Sequence, residues 1–216
     1  MAAVSSFVRE PRQARSRATL DRILSATQEL LETKTFDAIS VSEIVARARS
    51  SIGAFYARFP DKAALLDHLD DLYAHRVVEL AALRARDRAG SDTTLAEEVS
   101  GLVRFLVRMH RRQPGLLRTL IIEARRQAET RFRERTRRMN RAVPPLMDRL
   151  LARRHEIGHP QPDRAVYLGL LMVFSTLREV VLFPEGLAEF VDYDDEELIG
   201  ELTGAYLRYL QHESVE

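Results

Sequence analysis

An all-α fold is what this 216-residue sequence predicts. Apolar residues recur at helical spacing along most of the chain, and no segment alternates with the two-residue period of a half-buried strand. Turn residues at Gly90-Ser91-Asp92, Pro114-Gly115 and Gly158 to Pro162 punctuate the periodic stretches. The length suits a small headpiece, residues 1–66, followed by a larger domain, 67–216, with a core of its own.

Residues 1–15 carry Arg9, Arg12 and Arg15 among small polar residues and read as a basic arm. The first helix spans about Arg17 to Lys34, with Leu20, Ile23, Leu24, Leu30 and Leu31 facing inward. The stretch Ser40 to Leu66 then organises the headpiece. Ser40 or Ser42 caps a short helix bearing Val41, Ile44, Val45 and Ala48, and Arg49 and Ser50 break its pattern. Ser51 caps a second short helix carrying Ile52, Phe55, Tyr56 and Phe59, which Pro60 stops. Asp61 caps a long third helix from Lys62. Two short helices joined by a tight turn, the second with a small polar outer face of Ser51, Gly53, Ala54 and Ala57, form a helix-turn-helix.

The segment SIGAFYARFPDKAALL resembles the end of the DNA-binding domain of TetR/AcrR-type transcriptional regulators, through Ser51, Gly53, Phe55, Tyr56, Phe59 and Lys62. The resemblance reaches upstream over residues 17 to 66. It departs from the family at Arg49, in the turn, and at Thr35, after the first helix, where Gly is usual. A non-Gly residue at positive φ costs on the order of 1–2 kcal/mol. Ile52 also stands where a Lys often precedes the Gly. The resemblance implies a homodimer that binds a double-stranded, palindromic operator, represses by occupying it and releases it when an unidentified small-molecule effector binds. Among the expected DNA contacts, Ser51, Tyr56 and Lys62 suit phosphate, while Gly53 and Ala54 allow approach to bases, Ala54 by apolar contact alone. Ser40, Ser42, Arg47, Arg49, Ile52 and Ala57 complete the expected interface. The alternative keeps the fold but makes the chain a helical small-molecule-binding protein or enzyme with a non-functional headpiece.

Beyond the headpiece, Lys62 to about Arg88 reads as one long helix that joins the two domains without a linker. Helices follow over Thr94 to Arg112 and through Leu116 to Ala124, then over Ala128 to Glu156, which Pro144-Pro145 must kink or split. Asp163 to Phe183 is apolar on almost all sides, and Asp194 to His212 carries one apolar face. One small domain cannot cover both faces of the former. A two-fold four-helix interface is therefore expected, with Leu171, Leu198, Leu202 and Tyr206 in it. Large apolar and Met side chains on the inward stripes, together with the resemblance, suggest a ligand pocket lined by Phe105, Met109, Leu117, Ile121, Arg125, Met139 and Met172.

Composition narrows the remaining classes. The chain has no cysteine, which excludes disulfides and thiolate metal sites and fits a cytoplasmic location. The N-terminus lacks the apolar region of a signal peptide. The longest apolar run, Leu168 to Phe174, falls short of the roughly 20 residues of a membrane span. No membrane partner, metal, cofactor or enzymatic activity is expected. Net charge of +1 conceals 16 basic against 5 acidic residues between 101 and 160, and 3 against 12 thereafter. The Arg-rich run from Arg125 to Arg141 reads first as a solvated face. The literal H-E-x-x-H at His155 to His159 contains Gly158 and precedes Pro160, so the continuous helix that a zinc protease needs is broken there.

Overall fold

The computed structural model describes residues 14–87, 93–126, 129–186 and 193–212. Among these residues the chain is helical without strands. The helices are α1 (Ala14–Leu31), α2 (Val41–Arg47), α3 (Ile52–Tyr56), α4 (Lys62–Asp87) and α5 (Leu95–Arg112). They continue with α6 (Pro114–Arg126), α7 (Glu129–Asn140), α8 (Val143–Leu151), α9 (Pro162–Leu177) and α10 (Asp195–Leu210). Most of the basic arm and the Gly90-Ser91-Asp92 stop lie outside the described residues. Helix α1 begins at Ala14, so Arg15 belongs to it rather than to the arm.

Packing divides the chain into two compact units, residues 1–76 with 115–135 and residues 77–114 with 136–216. This division differs from a break at residue 66. The first half of α4 stays with the headpiece, and so does α6, because Leu116 and Leu120 are buried in the same cluster as Ile23, Phe55 and Leu65. At the start of α6 the Gly115 N–H donates to the Glu32 carboxylate at 3.1 Å. Near its end, Arg126 pairs with Asp37 at 2.8 Å.

In the second unit α5, α8, α9 and α10 share a core. Thr94 and Glu97 form a reciprocal capping box at the start of α5, and Asp194 and Glu197 do the same for α10. The expected helix over 128–156 is split between Asn140 and Val143. Pro144 and Pro145 sit in the first turn of α8, where a missing N–H leaves no intrahelical bond unmade.

Three of the four residues expected at a two-fold interface are core residues of the chain itself. Leu198, Leu202 and Tyr206 are buried where α10 packs on α5 and α9, whereas Leu171 is exposed. The physical reason is that α10 has a single apolar stripe and its own unit consumes it. Helix α9 has two faces: Ala165, Val166, Leu170 and Val173 are buried, while Tyr167, Leu168, Leu171 and Met172 face outward. With its π-helical continuation over Arg178–Leu182, α9 is long and apolar enough, by length and composition, to cross a membrane. The unbroken apolar run Leu168 to Phe174 is only the middle of that longer helix. Its buried side marks it as a core helix of this unit.

Candidate nucleic-acid interface

The turn between α2 and α3 is set by local chemistry. Ser40 Oγ accepts the Glu43 N–H at 3.1 Å and so caps α2, which settles the choice between Ser40 and Ser42. Ser51 Oγ accepts the Ala54 N–H at 3.1 Å and caps α3. Each such cap is worth about 1 kcal/mol. Arg49 between them adopts φ 48°, the left-handed conformation that the absence of Gly makes costly. Ser50 N–H closes the turn onto the Val45 carbonyl at 2.9 Å, and Arg22 Nε donates to the Ala48 carbonyl at 3.0 Å from α1.

One side of α3 anchors it. Phe55 and Phe59 have no solvent exposure, and their rings pack 5.5 Å apart. The His68 ring lies 5.9 Å from Phe59, and burial holds its imidazole below its ordinary pKa against the opposing pull of Asp71. Arg58 ties the end of α3 to α1, donating to the Ala54 carbonyl at 2.6 Å and to the Ser16 hydroxyl at 2.8 Å. No local pattern announces that tie, since Ser16 lies 42 residues earlier.

The opposite side of α3 is open. Ser51, Ile52, Gly53, Tyr56 and Ala57 are exposed, with Ala54 partly so. Ser42, Arg47 and Arg49 are also exposed on the preceding helix and turn. Arg47 pairs with Glu29 at 2.9 Å across exposed surface, a contact worth about 0–1 kcal/mol and cheaply exchanged for a phosphate. Lys62 departs from its expected phosphate role. Its ammonium donates to the Phe36 and Ile39 carbonyls at 2.7 and 2.8 Å and lies 4.5 Å from the Phe36 ring centre. It closes the loop after α1 and is directed into the headpiece.

Nothing inside the headpiece requires Gly53. A Cβ there would meet nothing nearer than Ser51 Oγ at 4.0 Å. Alanine would favour the helix by roughly 0.5–1 kcal/mol, so internal packing does not select Gly. Gly53→Ala is expected to raise headpiece stability slightly in urea unfolding while weakening duplex binding in a mobility-shift assay. Unchanged binding would show that no backbone approaches α3 there.

The residues expected to line a ligand pocket are distributed over both units. Phe105, Met109 and Met139 are half-buried in the second, whereas Met172 faces outward beside Leu171 on α9. Leu117, Ile121 and Arg125 belong to the first, with Arg125 exposed. His110 is buried, with its ring 5.9 Å from Phe174 and its Nδ1 2.8 Å from the Leu106 carbonyl. A cavity of about 460 Å³ lies in the first unit, lined by Leu31, Phe36, Arg118, Thr119, Ile122 and Arg126 among others. None of the seven expected pocket residues lines it.

The H-E-x-x-H stretch is not a helix face. Arg154–Glu156 forms a 3₁₀ turn and Ile157 is extended. Glu156 Oε2 accepts the Leu95 N–H at 2.8 Å, and His159 Nδ1 accepts the Gln161 N–H at 3.0 Å. Among the described residues no group of three His, Asp or Glu could hold a metal ion.

A trihelical headpiece with a short, capped, small-faced outer helix defines a helix-turn-helix DNA-binding domain. Residues 23–69 match the family of bacterial regulatory proteins, tetR family. The match runs from α1 through the helix-turn-helix into α4, so the headpiece carries a DNA-binding domain of the tetR-family type. No curated protein matches its sequence. Solved structures share the fold. A bacterial regulatory protein of the tetR family from Rhodococcus RHA1 is 19% identical, with 92% of this chain and 98% of that one covered at a TM-score of 0.64. The fatty acid degradation regulator FadR from Bacillus halodurans is 22% identical, covering 94% and 100% at 0.64. FadR from Bacillus subtilis, solved with stearoyl-CoA, is 18% identical, covering 90% and 99% at 0.59.

Proposed function

We propose that this chain is a cytoplasmic, effector-responsive repressor, not an enzyme, which binds a palindromic operator as a homodimer. The observation that carries the reading is α3: fully buried on its Phe55 side and open, small and capped on the other. The exposed row Tyr167, Leu168, Leu171 and Met172 on α9 supports a two-fold contact. Gly200 and Ala205, also outward on α10, allow a partner close approach beside it. Two headpieces in a two-fold dimer call for two half-sites, hence a palindrome.

Phe105, Met109 and Met139 support an effector site in the second unit, and the stearoyl-CoA complex of a FadR of similar fold makes that acyl-CoA the first probe to try. An effector releases DNA only by binding the free conformation more tightly than the DNA-bound one. A hundredfold loss of DNA affinity needs a difference of about 2.7 kcal/mol, and reciprocity requires duplex to weaken effector binding equally. The test has two stages. A mobility shift with duplexes from the intergenic DNA beside its own gene is expected to show sequence-specific binding. Calorimetry with stearoyl-CoA, with and without the bound duplex, is then expected to give unequal affinities. Absence of any specific shift overturns the operator reading; equal acyl-CoA affinities overturn the inducer role for that ligand.

A further inference from the structure

We propose that Ile52 is the principal base-reading residue of the headpiece, and that what it reads is the 5-methyl group of thymine. The inference rests on the operator-binding reading above and adds the chemistry of the sequence recognised. It begins from what the outer face of α3 lacks. Ser51 Oγ accepts the Ala54 N–H and keeps its O–H for a phosphate, Gly53 has no side chain, and Ala54 and Ala57 offer only methyl groups. Arg58 and Lys62, the cations that follow the helix, donate to backbone carbonyls of the headpiece, while the exposed Arg47 and Arg49 lie before it, on α2 and in the turn. Between Ser51 and Ala57 there is no Arg, Lys, Asn or Gln, the side chains that read guanine or adenine through paired hydrogen bonds. Tyr56, 53% exposed, supplies a hydroxyl one turn further along.

Ile52 is the large outward side chain that remains. It is 50% exposed at the first position of α3, although the headpiece buries its other isoleucines, Ile23, Ile39 and Ile44, almost completely. The N-terminal residues of a recognition helix are those that reach base edges in the major groove. A β-branched side chain on a helix has one strongly preferred rotamer, so Ile52 presents a fixed apolar surface. In that groove only thymine offers an apolar group. Cytosine and adenine offer amines, and guanine offers acceptors, which an isoleucine would desolvate without replacing their hydrogen bonds. Attraction to one base and a penalty against the other three come from the same side chain.

The experiment uses the full chain and duplexes it enriches from a randomised pool, with affinities measured by fluorescence polarisation at fixed salt. Each thymine is replaced in turn by deoxyuridine, which removes the methyl and keeps every hydrogen-bonding group. At the position facing Ile52 the affinity is expected to fall about fourfold for each methyl group removed. Ile52→Ala is expected to bind the thymine duplex more weakly and to become indifferent to deoxyuridine at that position. Since the base substitution leaves the protein untouched, the first arm does not depend on the variant's folding. Uniform tolerance of deoxyuridine, or a methyl effect that survives in Ile52→Ala, overturns the assignment. Failure to enrich any duplex overturns the operator-binding reading itself.

Discussion

Glu98→Ala is expected to destabilise the second unit by about 3–5 kcal/mol, the cost of leaving a buried charge without its partner. Glu98 is 4% exposed, and Arg149 from α8 grips its carboxylate with two nitrogens, Nε at 2.8 Å and Nη2. Thr93 Oγ1 donates to the same carboxylate at 2.6 Å, and Arg84 lies 3.8 Å away. Arg149 also donates to the Arg84 carbonyl at 3.0 Å, so the cluster ties the end of α4 to α5 and α8. Truncating Glu98 strands Arg149 inside. Joining it with Arg149→Met should recover much of the loss in a urea-unfolding cycle, because an apolar pair has no charge to desolvate. Additive losses would mean that the two residues do not act as a pair.

The same carboxylate gives a pH signature. Burial pushes the Glu98 pKa up, but the Arg149 and Thr93 hydrogen bonds and the Arg149 and Arg84 charges outweigh it, and the group lies below its ordinary value. A depressed carboxylate contributes stability above its unfolded pKa and loses it as pH falls through the folded one. Wild type should therefore weaken progressively as pH drops below about 4.5, and Glu98→Gln should lack that part of the slope. Parallel pH profiles would remove Glu98 from the account.

Gly169→Ala should cost about 2–3 kcal/mol even though alanine favours a helix interior by roughly 1 kcal/mol. A Cβ at Gly169 would fall 1.8 Å from Tyr206 Cε2. The ring cannot swing aside cheaply, since Tyr206 is 1% exposed and its hydroxyl donates to the Val166 carbonyl. Helices α9 and α10 would have to separate. Unfolding midpoints should therefore fall in Gly169→Ala and partly recover in Gly169→Ala with Tyr206→Leu, whose smaller side chain vacates the space. A stable single variant would show that the two helices yield without loss.

Much of the headpiece was legible because its determinants are local. Ser40, Ser51 and Asp61 each cap a helix through an N–H three residues ahead, and a serine or aspartate before an apolar run signals that contact. The shape of the turn was left open by Arg49, which stands where Gly is usual; the structure keeps the left-handed backbone there at φ 48°. The role of Lys62 was not legible. Its place in the motif suggested phosphate, but the carbonyls it binds, of Phe36 and Ile39, lie 26 and 23 residues back along the chain. His110 likewise gave no hint that Phe174 would cover it.

By itself the sequence determined which helix faces are apolar, because helical spacing groups such residues on one side whatever that side meets, although Leu72 and Leu83, on the apolar side of α4, stay exposed. It determined the starts of the side-chain-capped helices α2, α3 and α4 as well, since capping acts within four residues. Only the tertiary structure decided what covers each face. The apolar stripe of α10, with Leu198, Leu202 and Tyr206, looks the same whether a second chain or a neighbouring helix receives it. Here α5 and α9 receive it. Tyr167, Leu168, Leu171 and Met172 then remain as the uncovered apolar row of α9. Periodicity states that a face is apolar; the partner that buries it depends on contacts between residues far apart in the chain.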